Sequence, residues 1–286
     1  MLAVLGDLVE DVVVWLDEDL RTGTDTSSRV FRTRGGSGAN VAAFAAAAGT
    51  PTRFLGCVGD DRLGAALVDG MTVLGVDVRV ERRGSTGTVV VLIDASSERT
   101  MLPDRAAARE LRTVPDEWLD DVSLLHVSGY AFADGPAAAA ALDAARRARA
   151  RGALTSVDVA STGMMEHYGV DEFHRLLVDL APDVLLANAD EAACLGLLGP
   201  GRGGLDATTV VVKAGADPTT VLAPGADPLV VPVPPVADVR DSTGAGDAFA
   251  AGFLGALIDG ADLRGACERA HASAARVLAN PGATHA

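Results

Sequence analysis

The sequence predicts an α/β protein: a largely parallel sheet with helices on both faces and a small β-rich flap beside it. Two observations carry this. Short apolar runs, such as residues 122–127, 154–159 and 184–187, alternate with longer helical patterns through most of the chain, and strands separated by helices pair in parallel through crossovers. Near the start, residues 28–34 instead flank Val30-Phe31 with arginines, as in a small sheet with one wet face.

In chain order, residues 2–5 read as a buried first strand ending at Gly6. Stretches 8–16, 28–34 and 88–93 form the flap. Residues 39–48 are apolar on all sides, as a fully buried helix requires. A strand at 53–58 and a helix at 62–74 follow. Residues 136–151 make a helix with Pro136 in the opening turn, arginines late and Gly152 just beyond, the usual asymmetry of helix ends. Strands at 154–159, 184–187 and 208–212 continue the alternation, and 247–258 and 262–278 are the last helices. No composition break marks a linker and no short repeat occurs. Residues 1–286 therefore read as one unit with flap segments at about 8–34 and 86–103.

The bulk composition narrows the function classes. With 49% hydrophobic and 22% charged residues over 286 positions, the chain is an ordinary globular protein able to bury a sizeable core. Its formal charge of −15 works against a nucleic acid or an anionic membrane as partner, since both need a basic face. One small anion, held locally by backbone amides, stays compatible. The three scattered cysteines, Cys57, Cys194 and Cys267, match no disulfide or zinc framework and point to a reduced, cytoplasmic setting. No apolar run reaches the length of a membrane span, and the opening residues read as a strand, not a signal peptide. Lys213 is the only lysine.

The most informative segment is Asp241-Ser242-Thr243-Gly244-Ala245-Gly246-Asp247, followed by the apolar Ala248-Phe249-Ala250-Ala251-Gly252-Phe253. Small residues let consecutive N–H groups approach a ligand. The helix behind them adds its unpaired amides and about half a positive charge, which suits phosphate. Asp247 is either a helix-start residue or a general base beside that anion pocket. No Gly-Lys-Ser/Thr follows, so this is not a Walker A loop. The formal G-x-G-x-x-G at Gly199, Gly201 and Gly204 follows a helix and leads into a strand, the reverse of a dinucleotide fingerprint.

That turn resembles the C-terminal signature of the ribokinase/PfkB family of carbohydrate kinases. Further resemblances fall in the family's order: Gly35-Gly36-Ser37-Gly38-Ala39-Asn40; Gly56-Cys57-Val58-Gly59-Asp60-Asp61 with Gly64 and Gly75-Val76-Asp77; Asn188-Ala189-Asp190-Glu191; and Val212-Lys213-Ala214-Gly215. The resemblance implies a ribokinase-like three-layer α/β/α fold with a β lid, and ATP-dependent phosphorylation of a hydroxymethyl group on a small sugar or sugar acid. It implies Asp247 as base, with Gly244, Ala245 and Gly246 as anion hole. Asp11, Gly36, Asn40 and Arg105 would bind the acceptor. Asn188 and Glu191 would act through water and Mg²⁺, Lys213 and Gly215 would lie on the nucleotide side, and a K⁺ site would fall near Asp241 and Gly282. The lid would serve a homodimer.

Each residue also has a plainer reading: Gly35-Gly36 a tight turn, Asn40 a satisfied helix polar group, Asp11 an edge charge, Asn188 and Glu191 a capping pair, Lys213 a solvated strand end, Arg105 a surface cation. The sequence departs from ribokinases at Val9 and Ser37, and from the nucleotide-side motif at Asp217-Pro218. Other acceptors therefore stay open: a nucleoside stacked on Trp15 and Phe31, or a sugar phosphate met by Arg32, Arg34 and Arg105. A sensor without catalysis is the reading from another class.

Overall fold

A computed structural model of the chain describes residues 1–279 apart from 95, 97, 238, 240 and 241. Asp241 and Gly282, the expected K⁺ positions, lie outside the described residues.

The chain opens with β1 (Leu2–Leu5), then β2 (Val9–Leu16) and β3 (Ser28–Gly35), before α1 (Ser37–Ala47), β4 (Thr52–Val58), α2 (Arg62–Val73) and β5 (Asp77–Arg82). β6 (Thr88–Ile93) and β7 (Arg99–Asp104) lead to β8 (Leu124–Ser128), α3 (Ala137–Ala150), β9 (Leu154–Asp158), α4 (Thr162–Tyr168) and α5 (Val170–Leu180). The remainder is β10 (Val184–Asn188), α6 (Ala189–Cys194), β11 (Thr209–Ala214), β12 (Asp217–Leu222), β13 (Leu229–Val231), α7 (Ala245–Ile258) and α8 (Leu263–Leu278).

Nine strands form the main sheet in the order β13-β12-β11-β10-β9-β8-β1-β4-β5, and a separate four-stranded sheet runs β3-β2-β6-β7. From β11 to β5 every neighbouring pair is parallel. The antiparallel β12 and β13 close the other edge. Two apolar cores lie on opposite faces. One gathers side chains of α1, α2, α7 and α8; the other gathers those of α3, α4, α5 and α6.

Local sequence explains these elements. In α7 every residue from Ala248 to Ala256 is buried, so the helix has no wet face and its small residues let α8 pack closely. Phe253 is fully buried there, and truncating it to alanine would cost about 3–5 kcal/mol. At the helix ends, Asp61 caps α2 by accepting from the Gly64 amide, and Asp262 caps α8 through Gly265, the N-cap bond that satisfies one orphan donor.

The topology brings distant segments together at one end of the sheet. β1 sits between β4 and β8, and the helices α1 and α3 that follow this part of the sheet cover opposite faces. In open α/β sheets, ligands bind outside the carboxyl ends of strands where connections diverge in this way. The ends of β1 and β8, the turn into α1 and the start of α7 meet there.

Candidate active site

Asp247 lies in the first turn of α7, and both its carboxylate oxygens are held from α1. Ser37 donates its hydroxyl to Oδ1 at 2.7 Å, and Asn40 donates Nδ2 to Oδ2 at 3.0 Å. These contacts join residues more than 200 positions apart. Burial pushes the Asp247 carboxyl up to about 6, with Asp158 adding to the rise while the Ser37 and Asn40 hydrogen bonds and the Lys213 charge oppose it. The group is thus an ionised carboxylate at neutral pH with a proton affinity well above that of a free aspartate.

The turn before Asp247 presents amides. Gly244 caps α7 in the left-handed region, φ 77°, which glycine adopts without steric cost. Ala245 donates its N–H to the Ser242 carbonyl at 3.2 Å. Gly244, Gly246 and Asp247 have no acceptor for their amides among the described residues. The last two are first-turn donors that a helix always leaves without an internal partner. Of the expected trio, Ala245 turns its amide to its own loop, while those of Gly244 and Gly246 stay without an acceptor among the described residues.

Across from the α7 turn, β3 delivers Arg34 and Gly35, and then Gly36, to the start of α1. Gly36 has φ 96° and a Cβ there would collide with the Asp7 carbonyl. Arg34 donates Nε and Nη2 to Asn40 Oδ1 at 3.4 Å each, so Arg34, Asn40 and Asp247 form one chain of contacts. Asp11, on β2, leans across the space that Gly35 leaves where a side chain would otherwise stand. Burial raises its carboxyl to about 6, opposed by Arg34. Asp11 is therefore no edge charge in open water.

Arg105 is engaged elsewhere. It donates Nε and Nη2 to the two oxygens of Asp7, at 2.7 and 2.9 Å, and Nη1 to Asp134 at 2.6 Å. The reading of a surface arginine gives way to a largely buried clamp, its side chain 14% exposed. It fixes Asp7, whose carbonyl abuts Gly36.

Further along the sheet edge, the strand ends align. Ser128 pairs with Asp158, and Asn188 with Lys213. Asn188 and Glu191 form a complete capping box on α6, and Glu191 also accepts from Asn188 Nδ2 at 2.7 Å. Both Glu191 oxygens are thereby occupied, and burial raises its carboxyl. Lys213 overturns the solvated reading: its ammonium donates to Asp158 Oδ2 at 2.8 Å, with side chains 15% and 12% exposed. Burial works against its charge, but Asp158, with Glu191 and Asp247, outweighs that and raises its pKa. Gly215, two positions on, turns β11 into β12 with φ 62°. The departure at Asp217-Pro218 is where β12 begins.

Sequence reasoning assigned no role to Ser37, Asp158 or Tyr130. Ser37 lies inside the glycine-rich segment and Asp158 is an acid at the end of an apolar strand, so each carried a signal. Tyr130 is raised by burial and opposed by a Ser161 hydrogen bond, and it feels Asp247, Glu191 and Asp158. Nothing local in its sequence marked it.

Comparisons with known proteins identify the family. Residues 1–286 match the family described as pfkB family carbohydrate kinase. A relative from Halopiger xanaduensis, an ATP-dependent ribose-1-phosphate kinase, is 31% identical over 291 residues, covering 98% of this chain and 93% of its own. A 5-dehydro-2-deoxygluconokinase from Photobacterium profundum is 26% identical over 272 residues, covering 88% and 82%. Among solved structures, adenosine kinase from Sinorhizobium meliloti superposes with a TM-score of 0.87 at 24% identity, covering 99% of this chain and 95% of that one, a likeness of fold. The family match over the whole chain and a relative at 31% identity lead to one conclusion: this protein is a member of the pfkB family of carbohydrate kinases.

Proposed function

We propose that the protein transfers the γ-phosphoryl group of ATP to a hydroxymethyl group of a small sugar acid or sugar, with Asp247 as general base. The carrying observation is the grip on Asp247, whose two oxygens are held by Ser37 and Asn40 beside the amides of Gly244 and Gly246. The acceptor proton moves to Asp247, the acceptor oxygen bonds to phosphorus, and the bond from phosphorus to the ADP oxygen breaks. Little covalent chemistry is asked of the protein; it aligns the two ends and neutralises charge on the equatorial oxygens.

Asp11, Asn40 and the close backbone at Gly36 would hold the acceptor hydroxyls. Arg105 would act on the acceptor side by clamping Asp7 against the Gly36 turn. Arg34, buried between Asp11 and Asn40, favours an acceptor carrying an anionic group, as the names of the gluconokinase and ribose-phosphate relatives also do. Lys213 and Gly215 would lie toward the nucleotide. Mg²⁺ would be held mainly by phosphate oxygens and water, since no cluster of three or more metal-ligating side chains exists among the described residues. Because the Glu191 oxygens are engaged in the cap, Asn188 and Glu191 would reach the ion through water. The small sheet would close over the acceptor as a lid. Its edge strands β3 and β7 expose Val30, Phe31, Met101 and Leu102, a surface suited to a second copy of the chain. A cytoplasmic setting fits the acidic, cysteine-poor composition.

The test is ATP consumption across an acceptor panel of ribose, fructose, 2-keto-3-deoxygluconate, inositol, adenosine and fructose 6-phosphate. Turnover on the sugar acid ahead of the neutral sugars supports the reading. Preference for adenosine would replace it with a nucleoside kinase. No turnover on any acceptor, with intact ATP binding, would favour a sensor.

A further inference from the structure

The chain contains 24 cationic side chains, of which 23 are arginines and one is lysine. That one position is also one of the least ordinary places for a cation. Lys213 sits near the end of a central strand, 15% exposed, and Asp158 is its one hydrogen-bond partner among the described residues. An ammonium has three N–H donors, so two remain. A Cβ placed on Gly246 would stand 3.6 Å from Lys213 Nζ, so the ammonium faces the space that Gly246 leaves without a side chain. A guanidinium at this place would carry a broad planar fork into the space beneath Gly246, whereas an ammonium is a compact point charge.

We infer that Lys213 is the cationic contact for the phosphoryl group in transfer: Asp158 holds its ammonium beneath the Gly244–Gly246 turn, and its two remaining N–H groups meet the phosphoryl oxygens while Asp247 takes the acceptor proton. This rests on the kinase reading above and assigns a residue to the charge that the amides alone leave partly uncompensated. Lysine keeps its protons throughout; the bond changes are those of the transfer itself. Such a charge acts most in the transition state, where negative charge on the equatorial oxygens meets preorganised donors.

A structural ion pair would behave differently, and this supplies the test. Replacing both partners of a buried pair with neutral residues is often nearly neutral for stability, while removing one leaves an unpaired charge. The experiment compares Lys213→Met, Asp158→Asn and the double variant with wild type, measuring kcat on the acceptor found in the panel and ADP binding by calorimetry. The inference predicts that kcat falls by at least about a hundredfold in Lys213→Met and stays equally low in the double variant, with ADP affinity changed by less than about tenfold. Asp158→Asn alone loses about tenfold. Recovery of the double variant to within about tenfold of wild type would reduce Lys213 to a structural partner and overturn the inference.

Because the lysine is unique, protein labelled with ¹⁵N-lysine gives a single side-chain nitrogen resonance, which serves even where a variant fails to fold. A non-hydrolysable ATP analogue should move that resonance well beyond its position with ADP. A resonance identical in the two complexes would contradict the contact. Asp247→Asn, assayed alongside, separates the two readings: if it is slow while Lys213→Met is fast, the base stands and the lysine contact falls; if both are fast, the base reading falls as well.

Discussion

The two sides of the candidate site are built from different material. On the phosphoryl side, α7 is buried along nine consecutive residues and its first turn offers backbone amides. On the acceptor side, a thin four-stranded sheet carries side chains: β3 is exposed over its first five residues and β7 along its whole length. Its Arg32–Glu10 ion pair joins a side chain that is 68% exposed to one that is 10% exposed. In the proposed transfer, backbone amides on a buried helix would serve a group that never changes, the terminal phosphoryl. Side chains on a half-exposed sheet can be exchanged without disturbing the core, and in the proposed reaction that is where acceptor choice would reside.

This contrast orders the expected effects of substitution. Gly244→Ala forces an alanine into φ 77° and shifts the amides behind it; turnover should fall by about 10²–10³ with the melting temperature little changed. Asp11→Asn should act on the acceptor. Loss of a charged hydrogen bond of about 1.5–3 kcal/mol raises the acceptor KM roughly tenfold to a hundredfold while kcat holds. Phe31→Ser, on the exposed edge of the small sheet, should leave kcat within about threefold and weaken self-association seen by sedimentation. An Asp11 variant with a kcat defect equal to that of Gly244→Ala would erase the division between the two sides.

Much of this was legible in the sequence, for identifiable reasons. The helices α1 and α7 are apolar all round, a pattern that only a fully buried helix satisfies, and the turns before them carry glycines whose backbone angles or close approaches require them. β5 was not legible: Asp77-Val78-Arg79-Val80-Glu81-Arg82 alternates charge with valine because it is a half-exposed sheet edge. β12 begins Asp217-Pro218, residues that disfavour strands, and is tolerated beside the short edge strand β13. Within the site, Asp247 and Asn40 stood out by local motif. The Lys213–Asp158 pair did not, because 55 positions separate its members and an isolated lysine at a strand end is usually solvated. Long-range pairing decided that residue, as it decided the grip of Ser37 on Asp247.

The central claim is that Asp247 is a base with a raised proton affinity, and its titration tests it most directly. Burial raises the carboxyl from the ordinary 3.8 to about 6. The base works only when ionised, so wild-type kcat should rise with pH through about 6 and level above it. The same shift has a stability sign. A raised carboxyl favours the protonated folded form, so ionisation costs folding energy as pH climbs from 3.8 through 6. Asp247→Asn should therefore melt higher than wild type at pH 8, with the gap closing near pH 4. The decisive measurement is the pH profile of kcat for wild type and Asp247→Asn on the same acceptor. The account predicts a variant slower by at least about a hundredfold, with no acid limb near 6. A variant within tenfold of wild type that keeps the same limb would contradict it.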